Sequence, residues 1–176
     1  MKKFSLTIII PIGPGDLSWR VLLENLQAIF LNEVVPFEAD IVLCFCQDDE
    51  ELFLKERDFF KNQEVLPIKP VISKRGRSIQ LNKGAENADG DFLWFLHADS
   101  KLEASSLFKL YQSILDEPKA LHYFNLTFLR DGPFLTCLNE WGAKLRSEIF
   151  KIPFGHQGFC PKKENFWFLG GFQVGG

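Results

Sequence analysis

The chain has no basic surplus. Its 176 residues hold 20 Lys and Arg against 23 Asp and Glu, a formal net charge of −3. Binding to a nucleic-acid backbone rests on clustered cations, so that class of partner is not expected. No apolar run comes near the roughly 20 residues of a membrane span, so no transmembrane segment is expected. The opening MKKFSLTIIIPIGPGD puts two lysines before a short apolar run, as a signal peptide does. Pro11 and Pro14 interrupt that run, no small-residue cleavage site follows, and a buried first strand is the better reading. Cysteine is sparse: Cys44, Cys46, Cys137 and Cys160 match neither a zinc ribbon nor a disulfide scaffold. They read as buried, reduced thiols in a cytoplasmic protein. Methionine occurs once and phenylalanine 19 times, which predicts a stiff, aromatic-rich core.

What is present has the composition of a globular protein, 46% hydrophobic and 24% charged, with the length of one domain. Short apolar runs alternate with helical spacings. Strands are predicted at Leu6–Ile12, Ala39–Cys46, Val65–Ile72, Phe92–Leu96 and Leu121–Phe128. Pro67 and Pro70 place the third of these at a sheet edge. Helices are predicted at about Leu17–Leu31, then at Glu50–Phe60, Ser78–Ala88 (with Gly84, Ala85 and Ala88 on one side), Ala104–Leu115, Phe134–Phe150 and Lys162–Leu169. Nearly continuous apolar strands alternating with helices predict an α/β domain whose mostly parallel sheet is covered on both faces. One domain over residues 1–176 is expected. The chain stops at Gly176 straight after a turn signal, and continuation beyond it is expected.

In such sheets ligands bind beyond the carboxyl ends of the strands. Three stretches lie there: Pro11-Ile12-Gly13-Pro14-Gly15-Asp16, Gln47-Asp48-Asp49-Glu50 and His97-Ala98-Asp99-Ser100. If extension persists past Leu96, strand alternation points His97 and Asp99 the same way. An imidazole and a carboxylate together suit one divalent cation, with water and phosphate oxygens completing its shell. The competing reading makes Asp99 a cap for the following helix. Asp48 and its acidic neighbours read equally as the first turn of a helix, and Arg75 and Arg77 as solvated charges. Gly13 and Gly15 read equally as turn residues.

The segment KRGRSIQLNKGAENADGDFLWFLHADS resembles the central stretch of family 2 glycosyltransferases of the GT-A fold. Those commonly read G-x-x-x-x-R-N-x-G-x-x-x-A-x-G-D before an apolar strand ending in Asp-x-Asp. The counterparts here are Arg77, Gln80, Asn82, Gly84, Ala88, Gly90 and Asp91, ending in His97-Ala98-Asp99. The subgroup it looks most like, with G-R-x-x-Q-x-N-x-G-A and L-H-A-D, includes the "transferase 2, rSAM/selenodomain-associated" enzymes. LTIIIPIGPGD, IVLCFCQDDEE and PFGHQGFCPKKENFWFLGGF resemble further motifs of the family, so the likeness covers essentially the whole chain.

The resemblance implies transfer of a sugar from a UDP- or GDP-sugar to an acceptor hydroxyl, with lipid-linked acceptors among the candidates. It implies Mn2+ or Mg2+ held by His97 and Asp99, which neutralises the diphosphate. Asp48 would accept from the base, Pro11 and Gly13 would let backbone approach the nucleoside, and Arg77 would meet the diphosphate. Gln80 or Asn82 would line the donor site or order its loop. The expected location is the cytoplasm or the inner face of the membrane. Two departures stand out. Inverting relatives place a general base, usually Glu-Asp, shortly after G-G-F, where this chain has Gln173-Val174-Gly175-Gly176. His156 stands where relatives have Asp, and is not assigned to catalysis. The catalytic base is therefore unassigned, and a relative that binds donor without turnover is the alternative. A nucleotidyltransferase is a weaker one, since GPGDLSWR lacks the expected Gly-rich loop and lysine. A dinucleotide oxidoreductase is not expected, because no G-x-G-x-x-G follows the first strand.

Overall fold

The computed structural model describes residues 4–32, 35, 37–60, 65–123 and 158–174. Its organising element is β1 (Ser5–Ile12), a run of isoleucines with no charge to place in water. Such a strand is stable only in the middle of a sheet. It lies between two parallel partners, β2 (Glu38–Cys46) and β4 (Phe92–Phe95), with Ile8 opposite Ile41 and Trp94. The third strand, β3 (Ile68–Ser73), pairs in parallel with β2 and forms one edge. Pro70, which has no N–H to give, is tolerated at that edge. Two short strands complete the sheet: β6 (Phe159–Cys160), antiparallel to β4, and β5 (His122–Tyr123), antiparallel to β6. Among the described residues the order is β3-β2-β1-β4-β6-β5.

Alternation along the strands divides the core. Leu6, Ile8, Ile10 and Ile12 share one face with Ile41, Leu43, Phe45 and Trp94. That face is covered by α1 (Trp19–Asn32), by Phe60 of α2 (Glu50–Phe60) and by Leu107, Leu110 and Ile114 of α4 (Ala104–Asp116). Ile9, Val42, Cys44, Leu93 and Phe95 point the other way. They meet Leu81 and Ala85 of α3 (Arg77–Asn87) and Phe166 of α5 (Lys163–Phe168). The sheet is thus covered on both faces, as expected.

Among the described residues, phenylalanines cluster on both faces of the sheet. Phe4, Phe37, Phe92 and Tyr111 pack on the first face. Phe95, Phe159, Phe166 and Phe172 pack on the second, with ring centroids 5.0–5.4 Å apart. Cys44, Cys46 and Cys160 are buried free thiols, as expected, and burial pushes those of Cys44 and Cys160 well above the ordinary range. Cys137, His156, the Phe134–Phe150 helix and most of the Leu121–Phe128 strand fall outside the described residues.

The packing of α3 sets how the site is built. A Cβ added at Gly84 would sit 2.4 Å from Ile9 Cγ2 and 2.8 Å from Cys44 Sγ. Only glycine lets the helix backbone lie this close to β1 and β2, and that closeness brings the start of α3 to the carboxyl ends of both strands.

Candidate functional site

The parallel strands end together, and their following loops enclose a cavity of about 440 Å3. It is lined by Pro11 at the end of β1 and Gly13, Asp16 and Ser18 after it, by Arg77 and Gln80 of α3, and by His97, Ala98 and Asp99 after β4.

The first wall is a turn that the sequence dictates. Asp16 N donates to Gly13 O at 3.1 Å, closing a turn with Pro14 and Gly15 at its centre. Proline presets the first central position and glycine supplies the positive φ of the second, here 69°. Gly15 N then donates to Asp49 Oδ2 at 2.9 Å, tying this loop to the 3-10 turn Gln47–Asp49 that follows β2. Asp16 Oδ1 accepts from the backbone N–H and the hydroxyl of Ser18, at 2.8 and 2.6 Å. This fixes the entry to α1. Among the described residues, no atom beyond its chain neighbours lies within 4 Å of where a Gly13 Cβ would stand, so that wall is low.

The floor is Gln80. It is buried, and its Nε2 donates to Ile12 O at 2.7 Å and Cys44 O at 2.8 Å. These are carbonyls at the ends of two adjacent strands. One side-chain amide thus closes the sheet edge and lines the cavity. Asn82, the other candidate, serves elsewhere. Its Nδ2 donates to Phe172 O, and its Oδ1 accepts from Phe172 N, both at 2.9 Å. It holds the Gly-Gly-Phe segment against α3, and it does not line the cavity.

The last wall departs from expectation in how it forms. Regular pairing in β4 stops at Phe95, and Leu96 N still donates to Ile9 O at 3.0 Å. The chain then turns. Ser100 N donates to His97 O, and His97 N donates to Ser100 Oγ, both at 3.1 Å. His97 and Asp99 therefore share the cavity through a serine-closed turn, since the extension that would have aligned them does not persist. Asp99 does not cap a helix: α4 begins at Ala104, five residues on.

The imidazole and the carboxylate already attend a cation, the Arg77 guanidinium. Its Nη1 lies 3.0 Å from His97 Nδ1, and its Nη2 is against His97 Nε2. Arg77 is exposed as a residue, with its guanidinium only partly desolvated. That desolvation pulls its pKa below the ordinary value, and the charge of Asp99 opposes that. Guanidinium carries only donors and neutral imidazole one lone pair, so only one of the two contacts is a hydrogen bond, and Arg77 covers whichever ring nitrogen a metal would use. A positive group held here is a stand-in for an ion, and the pair fits one by this measure. Among the described residues no group of three or more His, Cys, Asp or Glu is placed to hold a metal. His97 and Asp99 would thus leave most of an ion's shell to water or phosphate.

Of the expected site residues, Pro11, Gly13, Arg77, Gln80, His97 and Asp99 come together. Asp48 is not among the cavity's lining residues; its Oδ2 faces Arg75 Nη1 at 3.7 Å on an open surface. Asp16, Ser18 and Ala98 line the cavity without having been singled out. The Asp-x-Ser spacing before the α1 pattern was the available signal for the first two.

Against known proteins, the model of the family described as Glycosyl transferase family 2 matches residues 58–165. Among solved structures, the mannosyltransferase PcManGT from Pyrobaculum calidifontis, in complex with GDP-Man and Mn2+, has a TM-score of 0.73 at 18% identity. The match covers 98% of this chain and 48% of that one. TarS 1–349 of S. aureus in complex with UDP-GlcNAc gives 0.55 at 14% identity, over 73% of this chain and 36% of that one. The chain therefore spans about half the length of the first and less of the second. No curated protein matches it in sequence. At these identities the likeness shows the fold, which is GT-A.

Proposed function

The chain belongs to glycosyl transferase family 2, and from that premise we propose that it is a glycosyltransferase whose cavity takes a UDP- or GDP-sugar. The sugar would pass to an acceptor hydroxyl with the help of Mn2+ or Mg2+. The observation that carries this reading is one cavity, at the carboxyl ends of parallel strands, holding Arg77, His97 and Asp99 beside the low wall of Pro11 and Gly13. The GDP-Man with Mn2+ in PcManGT and the UDP-GlcNAc in TarS support the donor class.

Each residue has a task set by its chemistry. Pro11 and Gly13 leave room for the flat nucleoside to lie against backbone. Gln80 keeps the strand ends at fixed spacing beneath it. Arg77 offers a planar fork of donors that matches phosphate oxygens. Asp48 would accept from the base at the outer edge. His97 and Asp99 would hold the divalent ion, which when bound supplies Lewis-acid neutralisation of the diphosphate leaving group. The acceptor, lipid-linked or otherwise, and the base that deprotonates it have no assignment among these residues.

Calorimetry with UDP, GDP and their sugars in the presence of Mn2+ tests the proposal. Micromolar binding to the native chain is expected, weakened at least about tenfold in Asp99→Ala, the loss of one charge-assisted contact. Equal affinity in Asp99→Ala, with its fold intact by circular dichroism, would falsify the site. Sugar release from a bound donor then separates turnover from binding alone.

A further inference from the structure

Arg77 and a divalent ion have claims on the same acceptors. The guanidinium lies along the His97 ring, with Nη1 3.0 Å from Nδ1 and Nη2 against Nε2, and the Asp99 charge acts on it. All three residues line the same cavity. Arg77 is the first residue of α3, and Gly76 before it is in a loop. Its long side chain is therefore anchored at one point, next to a helix N-terminus that favours anions.

From this geometry we infer that Arg77 is a tethered cation that closes the His97–Asp99 pair until ion and diphosphate arrive together. The inference rests on the donor-site reading above. While Arg77 occupies His97, an incoming ion meets a committed lone pair and a neighbouring positive charge, so ion alone binds weakly. While it remains there, its donors are also withheld from a diphosphate, so nucleotide alone binds weakly. When Arg77 turns from His97 to the phosphate oxygens, both obstacles go at once. Ion and nucleotide then strengthen each other's binding, and by linkage the factor is the same in both directions. His97 acts in this scheme as a positioning residue for Arg77 as well as an ion ligand.

The test is Mn2+ binding without nucleotide, read by calorimetry and by the fraction of free Mn2+ in electron paramagnetic resonance. Arg77→Met keeps length and loses the charge and donors. It is expected to bind Mn2+ alone about tenfold more tightly than the native chain, inside the range typical of coupled sites. Its affinity for GDP or UDP at saturating Mn2+ falls. Arg77→Lys separates exchange from simple repulsion, because it keeps the charge but not the planar fork that spans the imidazole. Tighter Mn2+ binding in Arg77→Lys as well supports the inference. Native Mn2+ affinity in Arg77→Lys, or unchanged or weaker affinity in Arg77→Met, overturns it. Either overturning result leaves the donor reading standing if the native chain binds nucleotide with Mn2+ and Asp99→Ala does not. Failure of the native chain to bind any nucleotide with Mn2+ defeats the donor reading itself.

Discussion

Gln80 shows how much one side chain can settle. Its single amide nitrogen donates to two buried carbonyls, Ile12 O and Cys44 O, inside the paired stretch of β1 and β2. Gln80→Leu keeps the volume and removes both donors. Each lost hydrogen bond to a buried acceptor costs about 0.5–1.5 kcal/mol, so chemical denaturation should show a loss of about 1 kcal/mol or more. A loss under about 0.5 kcal/mol would mean that water replaces the amide. Asp40 on β2 is the opposite case. It accepts from Thr7 Oγ1 at 2.7 Å, yet burial dominates and raises its pKa, with Asp89 adding to the rise. The folded value exceeds the unfolded one, so the proton favours the fold. This stabilisation is complete below the unfolded value and is lost as pH rises through the folded one. Asp40→Asn keeps an acceptor for Thr7 without the charge. It should raise the denaturation midpoint at pH 7 and flatten the decline between acid and neutral pH. A lower midpoint at pH 7 would contradict this. Neither effect follows from residue type, because both depend on which groups the sheet brings alongside.

At the scale of the element, α3 links core to site. It touches β1 and β2 through Gly84 and reaches the cavity through Arg77 and Gln80, seven and four residues earlier. Alanine at 84 would favour an isolated helix by about 1 kcal/mol. Here its Cβ would meet Ile9 and Cys44 inside contact distance. The overpacking cost of about 1–3 kcal/mol opposes that gain, and α3 must shift away from the sheet. Gly84→Ala should therefore weaken nucleotide binding though it touches no ligand, while Lys83→Ala, at a half-buried position on the same helix, should not. Equal nucleotide affinities in the two variants would disconnect α3 packing from the cavity. Most elements among the described residues were legible, although β6 was not predicted. The predicted Glu50–Phe60 helix is met to the residue, and the isoleucines of β1 and the prolines before and within β3 act as expected. The end of β4 was not, because a short apolar run cannot announce that Ser100 will turn the chain and accept from His97 N.

At the scale of the molecule, the sheet gathers residues 11–18, 77–80 and 97–99 into one cavity. A ligand that binds only this gathered state stabilises the whole fold by mass action, by about 2.7 kcal/mol at one hundred times its Kd. For a chain of this length that is a rise of about 5–10 °C in the thermal midpoint. GDP or UDP with Mn2+ should produce it, chelation by EDTA should reverse most of it, and Asp99→Ala should not show it. An equal rise in Asp99→Ala would place the nucleotide elsewhere. The sequence alone determined the alternation of buried strands and helices, the Pro14-Gly15 turn, and the candidate residues at the strand ends. These follow from local properties: side-chain period, fixed and permitted φ, and residue chemistry at predicted boundaries. Only the tertiary structure decided that Asn82 serves the Phe172 backbone, that Asp48 faces Arg75, and that Arg77 lies against His97. Those pairings join residues 20 to 90 positions apart, or across two loops, and depend on where the sheet's register and the close approach at Gly84 leave each side chain.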